Sequence, residues 1–339
     1  MKSDLCHFTD LHRRAFVKNG ALLALAGLLP PSLMAAVKDL PRSPFGAGTT
    51  ADEVLEGLDL SGKTALITGV NSGIGYESMR ALAAHGVHVI GAARTEEKAR
   101  KACDSVEGRT TPVVCELTDF GSVVACVETV QDMNTPIDIL MCNAGVMALP
   151  ELEQVYGLEK QFVINYLGHY LLTRRLLEQV EAAPEARIVT LSSIAYKYAP
   201  KAGIEFDNLS GNKGYQPMKA YGQSKLADAL FAFELARRYE GTNVAANTVH
   251  PGMVATNLGR YFMKKPRDPN APLRRGFKTA DQGAATQVYV ASSPALKGVS
   301  GYYFEDCNPV EPEGPHMSDA DMAKKLWQVS EDLTRSWLS

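Results

Sequence analysis

From Gly62 to the C-terminus, short runs rich in valine and isoleucine alternate with longer stretches of helical period. No other feature of the chain constrains its fold as much. Strands alternating with helices build a parallel sheet, and such a sheet needs helices over both faces. Seven runs read as strands: Thr64–Thr68, Val87–Ala92, Val113–Leu117, Ile137–Cys142, Arg187–Leu191, Asn243–Val249 and Tyr302–Phe304. They predict one α/β domain over residues 59–339, doubly wound, with a seven-stranded parallel sheet. Met253–Phe277, rich in proline and arginine, reads as an excursion from the sheet, and Ser318–Leu338 as a C-terminal helix.

The first 36 residues do not share the pattern. His12-Arg13-Arg14-Ala15-Phe16-Val17-Lys18 precedes an apolar run over residues 21–29, then Pro30-Pro31 and the small residues Ala35-Ala36. A charged start, a short apolar run and a small-residue end make a secretory signal peptide. The run is short for a hydrocarbon core of ~30 Å, and an uncleaved anchor is the alternative. The arginine pair resembles a twin-arginine (Tat) leader, which implies the Tat export machinery as a partner and a periplasmic location. Asp4 and Asp10 argue against a mitochondrial transit peptide. Residues 37–58 carry Pro, Gly, Thr and acid without a sustained period and read as a linker.

Composition excludes other classes. Lys plus Arg is 35 and Asp plus Glu 38, a net charge of −3, so nucleic acid is not an expected partner. One of the six cysteines, Cys6, lies in the leader. Cys103, Cys115, Cys126, Cys142 and Cys307 are too few for a disulfide scaffold and read as buried free thiols, not metal ligands.

The first strand runs into Gly69-Val70-Asn71-Ser72-Gly73-Ile74-Gly75 and then a helix. Gly69 permits a tight turn, Gly73 lets backbone approach a pyrophosphate, and Gly75 lets helix and strand pack closely. The helix N-terminus supplies free N–H groups for phosphate. With this Thr-Gly-x-x-x-Gly-x-Gly spacing in a Rossmann-type domain, the chain resembles a short-chain dehydrogenase/reductase. Asn143-Ala144-Gly145 after the fourth strand and Pro251-Gly252 with Thr256 after the sixth match further markers of that family.

The family's signature is Tyr-x-x-x-Lys on a helix, and this chain matches it four times: Tyr156/Lys160, Tyr215/Lys219, Tyr221/Lys225 and Tyr261/Lys265. The chemistry needs both side chains on one helical face, which an i,i+4 pair provides. Only Tyr221 opens a sustained helix between the fifth and sixth strands. The resemblance implies catalysis by Asn165, Ser193, Tyr221 and Lys225, with Ser192 structural. Tyrosine, with a reference pKa near 10, becomes a better base beside a cation. Tyr221 is therefore the expected general acid/base. Ser193 is expected to bind the substrate oxygen, Lys225 the ribose, and Asn165 a water on a proton path.

Gly91-Ala92-Ala93-Arg94 at the second strand end lacks the acid that grips a ribose 2′-OH, while Arg94 can pair with a 2′-phosphate. NADP is thus expected over NAD. Gly69, Asn71, Ser72, Gly73, Ile74, Gly75, Arg94, Asn143, Ala144, Gly145, Tyr221, Lys225, Pro251, Gly252 and Thr256 form the expected cofactor site. Glu116-Leu117 stands where the family often has Asp-Leu beside the adenine.

Asn165-Tyr-Leu-Gly-His-Tyr-Leu-Leu-Thr, Tyr303-Phe-Glu-Asp-Cys307 and Lys325-Leu-Trp-Gln-Val-Ser330 resemble the retinol-dehydrogenase and WW-domain-oxidoreductase branch. That implies a lipophilic alcohol or carbonyl substrate, and the family implies a homo-oligomer. The alternatives are a nucleotide-binding scaffold without turnover, or a lipid-binding protein using Tyr261-Phe262-Met263 beside Lys264-Lys265.

Overall fold

The computed structural model describes Val37 and residues 40–261 and 272–338; the expected leader and the centre of the Met253–Phe277 excursion lie outside the described residues. Strand β1 (Thr64–Thr68) is buried along its whole length. Beside it lie β2 (His88–Ala93) and then β3 (Thr110–Val114) on one side. On the other side come β4 (Ile139–Cys142), β7 (Ala186–Leu191), β8 (Val244–His250) and β9 (Tyr303–Glu305). These seven strands are parallel. Between β4 and β7, the short strands β5 (Gln154–Val155) and β6 (Leu158–Glu159) pair with each other as a separate hairpin.

The expected seven-stranded sheet needs one correction. An eighth strand, β10 (Asn308–Pro309), pairs antiparallel with β9. Asp306 and Cys307, both at positive φ, turn the chain back. Two residues carry no period to read, and a proline without an N–H is tolerated because β10 is an edge. The third strand is also displaced, to Thr110–Val114 from the expected Val113–Leu117. It ends where β2 ends, with Val114 opposite Ala93, and Cys115 N–H still donates to the Ala93 carbonyl. Cys115 and Leu117 are buried as turn residues, which is why the apolar run outlasts the strand.

Alternation along the strands sorts side chains to two cores. Leu66, Leu140 and Ile188 face helices α4 (Phe120–Gln131), α5 (Gly168–Glu181), α6 (Pro217–Arg238) and α8 (Ala320–Thr334). Ala65, Ile67, Ile139, Met141 and Val189 face α1 (Ala51–Leu55), α2 (Gly73–Ala84), α3 (Glu96–Cys103) and α7 (Ala280–Ser292). All five described cysteines are buried and free.

Residues 40–58, read as a linker, hold α1, which packs against α7 through buried Ala51, Val54 and Leu55. Thr50 caps it, with Glu53 reaching back to the Thr50 N–H. Ser43 bonds Asn308 Oδ1 and the Cys307 carbonyl, so the packed unit begins well before residue 59.

The strands fan out from the β1–β4 pair, β2 and β3 one way and β7 to β9 the other. At such a reversal the loops after neighbouring strands diverge and leave a crevice at the carboxyl edge. Registers bring those edges level: Thr68 sits opposite Ala92, Cys142 opposite Thr190, and Leu191 opposite Val249.

Candidate active site

The turn after β1 is built on missing side chains. Gly69 has φ +76°, and a Cβ on it would lie 3.0 Å from Ala144 Cα. A Cβ on Gly75 would lie 2.4 Å from Asn143 Nδ2 and 2.5 Å from the Gly69 carbonyl oxygen. The first turn of α2 therefore rests directly on the β1 turn. Gly73, at φ +63°, has Thr256 Cγ2 3.2 Å from the place of its Cβ, which joins the Pro251-Gly252 loop to the glycine turn. Ser72 precedes α2 without a side-chain cap bond, so the first N–H groups of the helix keep no side-chain partner there. Asn71 and Ser72 are exposed, and Ile74 is half-buried.

Asn143-Ala144-Gly145 is locked to β1. The Asn143 and Ala144 N–H groups both donate to Thr68 Oγ1 at 3.0 Å, and Asn143 Nδ2 donates to the Thr68 carbonyl at 2.8 Å. His169 completes this lock, a part the sequence reading did not assign. Its Nδ1 lies 2.8 Å from the Asn165 carbonyl, which can only accept. Burial pushes the ring pKa down to about 4, so it is neutral, and Nε2 accepts from the Thr68 hydroxyl at 2.8 Å. The available signal was spacing, since His169 stands one helical turn after Asn165.

Asn165 lies in a π-helical stretch, Val163–Leu167, that precedes α5. Its Oδ1 accepts from Val146 N–H at 2.8 Å, and its Nδ2 donates to the Val146 carbonyl and to Ser224 Oγ. It therefore holds the loop after β4 against α6. Gly145 passes between the two polar side chains, with its Cβ position 3.1 Å from Asn165 Oδ1 and 3.8 Å from Lys225 Nζ.

Of the four Tyr-x-x-x-Lys pairs, only Tyr221 and Lys225 share a long helix at this edge. Tyr156 sits at positive φ in the β5–β6 turn, stacks on Phe120 and accepts from its N–H, while Lys160 pairs with Glu153. Tyr215 donates to the Leu149 carbonyl, and Lys219 pairs with Glu205. Tyr261 is exposed against Arg260, and Lys265 lies outside the described residues. Tyr221, by contrast, is 3% exposed, and Ser193, which acts on its hydroxyl, accepts from Ala195 N–H at 3.1 Å. Ser192 donates to the Lys225 carbonyl at 2.6 Å.

Lys225 Nζ lies 5.8 Å from the Tyr221 ring centre. It donates to the Leu191 carbonyl at 2.7 Å and to Asp228 Oδ2 at 2.9 Å. The net effect on Tyr221 is upward: burial dominates, Lys225 and Ser193 pull its pKa down, and Asp228 pushes it up. Lys225 thus acts in the expected direction, but burial outweighs it.

Around the rest of the crevice, Arg94 is exposed just beyond β2, with no hydrogen bond or ion pair found among the described residues. Glu96, the nearest acid in sequence, is paired with Arg100. Glu116 does not extend freely, because its carboxylate accepts from the Thr118 N–H and hydroxyl. Leu117 packs on Gly168, where a Cβ would lie 2.9 Å from the Leu117 carbonyl oxygen. The segment that follows Pro251-Gly252 is held by Lys278, whose N–H donates to the Met253 carbonyl and whose carbonyl accepts from Ala255. A dinucleotide fits this edge: side-chain-free glycines, an uncapped helix start and an unpaired guanidinium follow one another around it.

Residues 63–267 match the profile of the short chain dehydrogenase family. A chloroplastic short-chain dehydrogenase, TIC 32 B of Brassica napus, is 40% identical over 307 residues, 87% of this chain and 96% of its own. Human retinol dehydrogenase 14 is 40% identical across 80% of this chain and 86% of its own. The WW domain-containing oxidoreductase of Pongo abelii is 36% identical across 91% and 78%. The chain belongs to the short-chain dehydrogenase/reductase family, a family of oxidoreductases whose fold binds NAD(P). Its relatives include both enzymes of the branch that its sequence resembles.

Proposed function

We propose that this protein is an NADP-dependent oxidoreductase that interconverts a lipophilic alcohol and its carbonyl compound, with Asn165, Ser193, Tyr221 and Lys225 at its centre. The observation that carries this reading is that buried Tyr221 and Lys225 share one helix face, 5.8 Å from ammonium to ring centre, at the carboxyl edge of the sheet. NADP, when bound, supplies or accepts the hydride. Tyr221 gives a proton to the substrate oxygen in reduction and takes it in oxidation. Burial keeps its hydroxyl protonated at neutral pH, so reduction starts from the resting state while oxidation first requires loss of that proton. Ser193 orients the substrate oxygen, its hydroxyl already held by Ala195 N–H. Lys225 supplies the nearby positive charge and an N–H toward the ribose, and Asn165 fixes the loop that Gly145 ends. Ile194 and Met253, exposed beside Ser193 and Gly252 in sequence, suit an apolar substrate.

The test is Tyr221→Phe, which keeps the ring and removes the transferable proton. Assayed with NADPH and a panel of aldehydes and ketones that includes retinal, turnover falls at least ~100-fold while nucleotide binding persists. Tyr156→Phe is the control and keeps its activity. Undiminished turnover in Tyr221→Phe removes that residue from its role. We further infer that residues 1–36 direct export by the twin-arginine route, so that the enzyme works in the periplasm as a homo-oligomer.

A further inference from the structure

We propose, building on the reading that Tyr221 and Lys225 move the proton, that Asp228 is a positioning residue whose buried carboxylate sets the charge that Lys225 presents to the Tyr221 hydroxyl. Tyr221, Lys225 and Asp228 stand at i, i+4 and i+7 on α6, one above the other on one face. The Lys225 and Asp228 side chains are each 5% exposed and 2.9 Å apart. Neither can be screened by water, so each acts at full strength on what lies next to it.

The backbone fixes the pair from outside the helix. Thr190 Oγ1 donates to the Asp228 carbonyl at 2.9 Å, and Ser192 Oγ to the Lys225 carbonyl at 2.6 Å. Strand β7 and the residue that follows it therefore hold both residues in place, and the Leu191 carbonyl accepts a second N–H of the ammonium. This is more restraint than a surface ion pair has. Stability alone does not account for it, because a buried pair is often no better than an apolar pair of the same volume.

No other charge competes. From β4, Cys142 faces the carboxylate as a neutral thiol, its pKa pushed up to about 12 by burial. Before α5, Tyr166 faces it as a neutral phenol held up by burial. His169 faces Lys225 and is neutral, its pKa pushed down to about 4 by burial. From β7 come only hydroxyls and a carbonyl. Tyr221 consequently feels two opposed charges: the ammonium favours phenolate and the carboxylate opposes it. Burial raises the Asp228 pKa despite the ammonium beside it. A protonated Asp228 leaves Lys225 unopposed and Tyr221 more acidic.

Asp228→Asn tests this, since it keeps the shape and an acceptor for Lys225 but removes the charge. Tyr221 ionisation is read in the full-length protein from ultraviolet phenolate absorbance during a pH titration. Subtracting the same trace from a Tyr221→Phe partner isolates it from the other tyrosines. The midpoint should fall by about one pH unit or more in Asp228→Asn, the scale of a lost neighbouring charge. A midpoint that stays or rises overturns the proposal, even if the variant is less stable, because a merely structural role shifts melting and not this midpoint. If the Asn variant does not fold, Asp228→Ser, smaller and uncharged, is read the same way. The readout involves no turnover. A Tyr221→Phe enzyme that remains active would defeat the catalytic reading and leave the charge effect to stand or fall by its titration.

Discussion

Arg94 shows what one residue can and cannot reveal. Its place was legible because the strand before it ends in Gly91-Ala92-Ala93 with no acid, and the structure leaves its guanidinium exposed at the crevice. Only NADP carries a phosphate for it. A charge-assisted pair at a partly wet site is worth roughly 1.5–3 kcal/mol. Arg94→Ala should therefore weaken NADP binding by about 10- to 100-fold and NAD binding far less, measured by calorimetric titration of both nucleotides. Equal losses would remove the specificity argument. That Tyr221 and Lys225 share a helix was legible for a different reason, since only that match opens a sustained helical run between the fifth and sixth strands. The roles of Asp228 and His169 were not legible. Asp228 stands three residues after Lys225 on the same helix, a spacing the sequence does show, but the burial that makes their pairing strong comes from the strands and helices around it. His169 looks like an ordinary polar residue in a helix until the fold brings Thr68 within 2.8 Å of it. Local sequence records spacing along an element, and these features depend on what stands across from it.

Among elements, the sheet was readable where strands were long and buried on both faces, and unreadable where they were short. The helix α1 is the instructive miss. Five residues are too few to show a helical period, yet Thr50-Ala-Asp-Glu53 is a capping-box signature that marks a helix start. Leu55 in that helix is fully buried among residues that include those of α7. Leu55→Ala should cost about 2–5 kcal/mol and lower the melting temperature measurably by circular dichroism. If residues 40–58 were only a linker, the melting temperature would not move. The displaced β3 has the converse cause. An apolar run persisted past its last partner, because Cys115 and Leu117 pack under the turn and not in the ladder.

At the scale of the whole molecule, the described residues from Leu40 onward belong to one packed unit, and the expected leader precedes it in sequence. Twin-arginine export carries folded proteins, so a dehydrogenase routed that way can close around its nucleotide before crossing. A ligand that binds only the folded state also stabilises it by mass action. Replacing Arg13-Arg14 by Lys-Lys should leave the precursor in the cytoplasm, as shown by immunoblots of periplasmic and cytoplasmic fractions. Efficient periplasmic recovery of the Lys-Lys form would mean that the arginine pair is not read.

The bonds from Ser43 to Cys307 and Asn308 join residues more than 260 positions apart. A contact of that span is also a clock. During synthesis it cannot form until nearly the whole chain has been made, and contacts between distant residues are slow to close. By then the strands between have had time to pair. The stretch around Ser43 is thus fastened among the last, and its fastening reports that the far edge of the sheet is in place.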